Sequence, residues 1–169
     1  MKNPITLHSG KSIIPSQEEM IEKILAGQME KAQARLILLL DTNGQVISFQ
    51  GKRGSIDLVA MGALAAADMA ASKEIARISN VYQENQMIIR QGSKINTIIY
   101  EINHDFILLI MVPSSVPLGW FCYLVRNTAE EIKQVVMTVQ KTTGKLKMAD
   151  NDEKLVDLVN SALDHVWKE

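Results

Sequence analysis

Cysteine is all but missing from this 169-residue chain: Cys122 is alone. One cysteine excludes an intrachain disulfide and every Cys-rich metal site. Lying in an apolar run, it reads as a buried, inert thiol. Histidine is scarce too, and His8, His104 and His165 lie too far apart for metal-ligand spacing. A net charge of −1 and a pI near 6.3 lack the basic excess of nucleic-acid binders. The run from Leu58 to Ala67 holds no charged or polar side chain, yet it falls well short of the roughly 20 apolar residues that cross a bilayer. The N-terminal stretch MKNPITLHSGKSIIPS has no apolar signal-peptide core. Together these absences predict a cytoplasmic protein with no nucleic-acid partner and no membrane insertion.

Hydrophobic residues make up 47% of the chain, ample for a core, against 22% charged residues. Residues 1–15, with Pro4, Gly10 and Pro15, show no periodicity and read as a tail or short extended segment. Ser16 and Glu19 have capping-box spacing ahead of an amphipathic helix carrying Met20, Ile21, Ile24 and Leu25. Leu36–Leu40 is a continuous apolar run, as expected of a central strand covered on both faces. Asp41-Thr42-Asn43-Gly44 follows as a hairpin turn, since Asn and Gly both tolerate positive φ, and Gln45–Phe49 returns. Ser55 is placed to cap an Ala-rich helix from Ile56 to Ser79. Gln86–Gln91, Ile95–Ile102 and Phe106–Val112 read as three strands joined by short turns. A long helix opens at Leu118-Gly119, and Thr142-Thr143-Gly144-Lys145 breaks it. Asp150 caps a final amphipathic helix running from Leu155 to Val166.

The expected class is α+β: a five-stranded, mainly antiparallel sheet with helices packed on it in the order α-β-β-α-β-β-β-α, plus a C-terminal helix. Residues 16–143 form the domain, 1–15 the tail, and 144–169 a linker and C-terminal amphipathic helix.

Three Gly-Lys stretches invite comparison with a phosphate loop: Ser9–Ser12, Gly51–Ser55 and Thr143–Lys145. The P-loop needs a glycine five residues before the Gly-Lys pair, and Ile5, Val46 and Val139 stand there instead. Asp41 starts a turn, and Asp57 sits in a first helical turn, where negative charge is favoured. No nucleophile–base–acid order can be drawn. The chain therefore reads as non-catalytic, with no cofactor and no metal.

The Ala-rich helix holds more apolar surface than one side can bury. At about 100° per residue, Ala60, Leu64, Ala67, Ala71, Ile75 and Ile78 line one face, read as the sheet-facing core. Val59, Ala63, Ala66 and Ala70 line a second, running into Lys73 and Arg77. Leu58, Met61, Ala65 and Met69 fill a third. The alanine row with Lys73 at its rim is the candidate partner-binding platform, because small side chains let another backbone approach closely. Asp68, the one charge between Leu58 and Ser72, must reach solvent at a groove edge or pair across an interface. Met87, Ile88 and Ile89 make a poorly protected edge strand that pairing with its own copy would satisfy. Ala65 and Met69 join them as candidate dimer contacts.

The Leu39–Ser48 hairpin, the Ala-rich helix, the three-strand meander and Pro117-Leu118-Gly119 ahead of the last long helix resemble the roadblock/dynein-light-chain family over about residues 16–140, most nearly its bacterial MglB-type branch. The resemblance implies a homodimer with a joined sheet, whose central helices form a platform for a small Ras-like GTPase of the MglA type. It implies contact with the GTPase switch regions and promotion of GTP hydrolysis without an arginine finger. The family's small contact residues fall by register on Ala66 and Ala70, and residues 150–168 stand where that branch can carry a C-terminal helix that also touches the GTPase. Asp68 departs from the pattern, where an uncharged Asn is common. A passive scaffold that leaves nucleotide turnover unchanged stays open as the alternative.

Overall fold

The computed structural model describes residues 4–8, 10–81 and 86–137. The expected helix break at Thr142–Lys145 and the expected C-terminal helix lie outside them. A two-stranded hairpin, β1 (Ile5–Thr6) and β2 (Ser12–Ile13), precedes α1 (Pro15–Ala32). Next come β3 (Leu36–Asp41), β4 (Val46–Gly51), α2 (Leu58–Ile78), β5 (Met87–Gln91), β6 (Ile95–Glu101) and β7 (Phe106–Pro113). A third helix, α3, is described over residues 118–137. The five long strands make one sheet in the order β4-β3-β7-β6-β5, antiparallel throughout. This is the expected α+β fold and element order.

The continuously apolar strands are interior. Leu36 to Leu40 are fully buried, and β7 pairs with β3 in register from Leu36↔Met111 to Asp41↔Phe106. Each such Leu or Ile, wholly removed from water, contributes about 1.5–3 kcal/mol before entropy is counted. Side chains alternate between faces. Leu36, Leu38, Leu40, Ile99, Ile107 and Leu109 meet α2. On the opposite face, α1 packs over β3 and β4. There Gln17 Nε2 of α1 donates to the Val135 carbonyl of α3 at 3.2 Å.

Helix starts differ from expectation by a residue or two. α1 begins at Pro15, with Ile14 as its cap and the Gln17 side chain accepting from the Ile14 amide at 3.1 Å. Proline at the first helical position, where no N–H is needed, outweighs the Ser16 signal. α2 is capped by Asp57, not Ser55: its Oδ1 accepts from the amides of Val59 and Ala60 at 3.0 and 3.1 Å. In the β3–β4 turn only Gly44 takes positive φ (+89°). Asp41 Oδ1 holds the turn closed by accepting from the amides of Asn43 and Gln45. Cys122 is half-buried rather than enclosed.

The N-terminal segment is folded onto the sheet. Leu7 and Ile13 are buried. His8 Nδ1 lies 3.1 Å from Asp41 Oδ2, and Lys11 Nζ lies 2.6 Å from Asp105 Oδ2. Two strands of two residues are too short for the periodicity of β structure to register in sequence.

The largest correction concerns the rotation of α2. The set read as sheet-facing is exposed: Leu64, Ile75 and Ile78 have 65–68% of their surface in solvent, and Ala60, Ala67 and Ala71 are exposed with them. Leu58, Gly62, Ala65, Ala66, Met69 and Ala76 are buried instead. Gly62 decides the matter. A Cβ there would stand 2.3 Å from the Gly44 carbonyl oxygen, so the helix meets the β3–β4 turn backbone to backbone, and only glycine fits. In a helix apolar all round, that one close approach chooses the inner face.

Candidate partner-binding surface

The outward face of α2 is an apolar stripe. Val59, Leu64, Ile75 and Ile78 stand on it as large exposed hydrophobics, with exposed alanines between them. Contiguous exposed apolar surface of this kind marks an interaction site. Ala63 and Ala70, assigned to the platform, are exposed. Ala66 is not, since it packs in the core with Leu58, Ala65 and Met69 beneath the helix. The side chains of Ala65 and Met69 likewise face the chain's own sheet and are not surface groups.

Lys73 does not stand at an open rim. Its ammonium pairs with Glu101 at the end of β6, a carboxylate that is 2% exposed. The other Glu101 oxygen, Oε2, is buried and accepts no hydrogen bond among the described residues. Lys73 is therefore committed to neutralising a buried charge, because an unpaired carboxylate there would cost several kcal/mol, the order given for an ion removed from water.

Beside the stripe lies the sheet edge. β5 is an edge strand, as expected, with Met87 and Ile88 half-buried and Ile89 exposed. The Glu101 amide donates to the Gln86 carbonyl at 2.9 Å. Antiparallel alternation then turns the N–H and C=O groups of Ile88 and Arg90 toward β6, and those of Met87, Ile89 and Gln91 outward. Between α2 and this edge runs a groove of about 210 Å³, lined among others by Met61, Leu64, Asp68, Arg90 and Thr97. Asp68 Oδ2 and Arg90 Nη2 meet there at 2.6 Å, and Ser72 Oγ donates to Gln86 Oε1 at 3.0 Å. Helix stripe, groove and strand edge thus form one continuous surface.

Sequence reasoning misses Arg90, although a signal exists. Asp68 is a lone charge in an apolar helix and Arg90 a lone charge in a largely apolar edge strand, and each needs the other. Elsewhere on α2, the Arg77 guanidinium beside Glu74 holds that carboxyl below the usual range, and Glu74 holds Arg77 above its own. On the opposite face of the sheet, burial raises the Tyr100 hydroxyl above its ordinary value, with Arg126 opposing. No group of three or more His, Cys, Asp or Glu able to hold a metal occurs among the described residues. No helix among them is long and apolar enough to cross a membrane.

The family model of the Roadblock/LC7 domain matches residues 20–111, from the second turn of α1 into the last residues of β7. The chain belongs to the Roadblock/LC7 family. Solved structures agree on the fold. Myxococcus xanthus MglB superposes with a TM-score of 0.69 at 20% identity, covering 75% of this chain and 94% of that one. The gliding protein MglB of Thermus thermophilus gives 0.65 at 18% identity over 79% and 97%. A Roadblock/LC7 domain of Streptomyces avermitilis gives 0.54 at 13% identity over 72% and 96%. No curated protein matches the chain by sequence. The family match ends within β7, so α3 of this Roadblock/LC7 chain lies beyond it.

Proposed function

We propose that this Roadblock/LC7 chain is a homodimeric, non-catalytic regulator of a small Ras-like GTPase, working in the cytoplasm. The observation that carries the reading is the exposed apolar α2 stripe lying beside the outer edge of β5, across the groove that the Asp68–Arg90 pair bridges. Two copies pairing β5 with β5 about a two-fold axis satisfy the outward groups of Met87, Ile89 and Gln91, extend the sheet and bring the two α2 stripes side by side. The composite helix surface, with Ala63 and Ala70 exposed on it, is the GTPase platform. It acts by ordering the partner's switch loops, a shift of population rather than new chemistry. The fold likeness to MglB structures supports the choice of partner.

The test joins oligomeric state to turnover. Light scattering on the full chain is expected to give a dimer, and an added MglA-type GTPase to hydrolyse GTP faster. Ala63→Arg or Ala70→Arg should keep the dimer and lose the acceleration. A dimer that binds GDP- and GTP-loaded partner alike without changing its rate means a passive scaffold. A monomer that still stimulates refutes the platform.

A further inference from the structure

A cleft of about 620 Å³ opens at the end of the sheet remote from the Gly44–Gly62 contact. It lies where β3 begins, β4 ends and the Gly51–Ile56 loop leads into α2. Leu36, Ile56, Met111 and Met29 give it an apolar interior. Arg35, Lys52 and Arg53 also line it, and among the described residues no acidic side chain does. The three cations are held together by the backbone. Gly51, at φ +115°, presses so close that a Cβ would stand 2.3 Å from the Arg35 carbonyl oxygen, to which the Lys52 amide donates at 3.3 Å. All three side chains are exposed. Among the described residues no carboxylate pairs with any of them, as is also the case for Lys31, Lys94, Arg126 and Lys133 elsewhere on the surface.

We infer that this cleft binds a small phosphorylated amphiphile, with the phosphate or diphosphate head on Arg35, Lys52 and Arg53 and the apolar body over Ile56 and Met111. Three uncompensated positive charges repel one another, and a head carrying two or three negative charges relieves them. Arg35 and Arg53 present planar forks that match phosphate oxygens two at a time. The volume lies in the small-molecule range, and an apolar interior with a few convergent charges is the make-up of such sites. The stretch Gly51-Lys52-Arg53-Gly54-Ser55 is no P-loop; here it delivers cations to a cleft rather than amides to a phosphate.

Calorimetry on the full chain with decyl phosphate below its micellar concentration tests this. Saturable binding is expected, at least about tenfold tighter than inorganic phosphate, since the head alone leaves the apolar interior in water. The Arg35→Ala/Lys52→Ala variant, altered only at exposed side chains, should melt as the parent does and bind at least about tenfold more weakly, having lost charge-assisted hydrogen bonds. Ala34→Trp keeps every charge and should block the cleft. Labelled methyl signals of Met29 and Met111 should shift on titration in the parent. Undiminished binding by the double variant, equal binding of a neutral-headed decyl compound, unmoved Met29 and Met111 signals, or no saturable binding overturns the inference. So does binding confined to phosphatidic-acid vesicles, which would place the anion site on a membrane surface instead.

Discussion

Gly44 and Gly62 touch through their backbones, the first at the tip of the β3–β4 turn and the second in the first turns of α2. A Cβ on Gly62 would lie 2.3 Å from the Gly44 carbonyl oxygen, and one on Gly44 would lie 2.6 Å from that of Gly62. The contact fixes how α2 is rotated on the sheet, and so which residues the chain offers to a partner.

Gly62→Ala should destabilise the protein by about 1–3 kcal/mol, the cost of overpacking a tight contact, although alanine is the better helix former. Gly27→Ala in α1 meets nothing within 4 Å and should stabilise by about 0.5–1 kcal/mol, alanine's intrinsic advantage. Urea denaturation reads both. The same exchange is expected to carry opposite signs.

Lys73→Met strands Glu101 in a buried site. The expected loss is about 3 kcal/mol, the low end for breaking a buried pair because Lys73 keeps some contact with water. Replacing both residues by methionine should recover most of it. If the double variant is as unstable as the single one, the pairing is not what holds Lys73.

Asp68→Asn and Arg90→Gln remove the two ends of one partly exposed pair. Each should cost less than about 1 kcal/mol, as solvent-screened pairs do, and the double variant should cost less than their sum. A double-mutant cycle in thermal or chemical unfolding measures the difference. Strict additivity would mean that the two side chains do not interact in solution.

Ala66→Arg should unfold the chain rather than merely block a partner, because Ala66 is buried under the helix and a charge there has no counter-ion. Circular dichroism separates this from Ala63→Arg, which should remain folded.

Alkaline pH should expose Tyr100. Burial raises its folded-state pKa above the ordinary value, so as pH rises past that value the unfolded chain releases the proton first. Fewer protons are then bound in the unfolded state than in the folded one, and stability falls with rising pH. Tyr100→Phe should flatten part of that slope in denaturation midpoints measured above the ordinary tyrosine pKa.

The strands were legible because apolar runs bounded by turn residues admit little else. Leu36–Leu40 and Phe106–Val112 can only be central, since no other place covers both faces. Turn positions were legible for the same local reason. Capping was half legible: Ser16 and Ser55 are good caps in isolation, but Pro15 and Asp57 are better placed for the turns that form. The platform was the hardest part to read. Helical register alone puts Ala63 and Ala70 on a surface that is indeed exposed, but it assigns Ala65, Ala66 and Met69 to an interface although they sit in the core.

The amino-acid sequence by itself determined the five long strands and the helices among the described residues, their order and the family, since period, turn chemistry and apolar runs are properties of neighbouring residues. It also marked α2 as a helix with more apolar surface than one side can bury. Which side goes inward was decided only in three dimensions. Apolar residues stand on every side of this helix, so the apolar pattern does not single out one face, and a backbone contact with a turn eighteen residues earlier selects among them. The Asp68–Arg90, Lys73–Glu101 and His8–Asp41 pairs, and the cationic cleft, are equally tertiary. Each joins groups that only the folded sheet brings within reach.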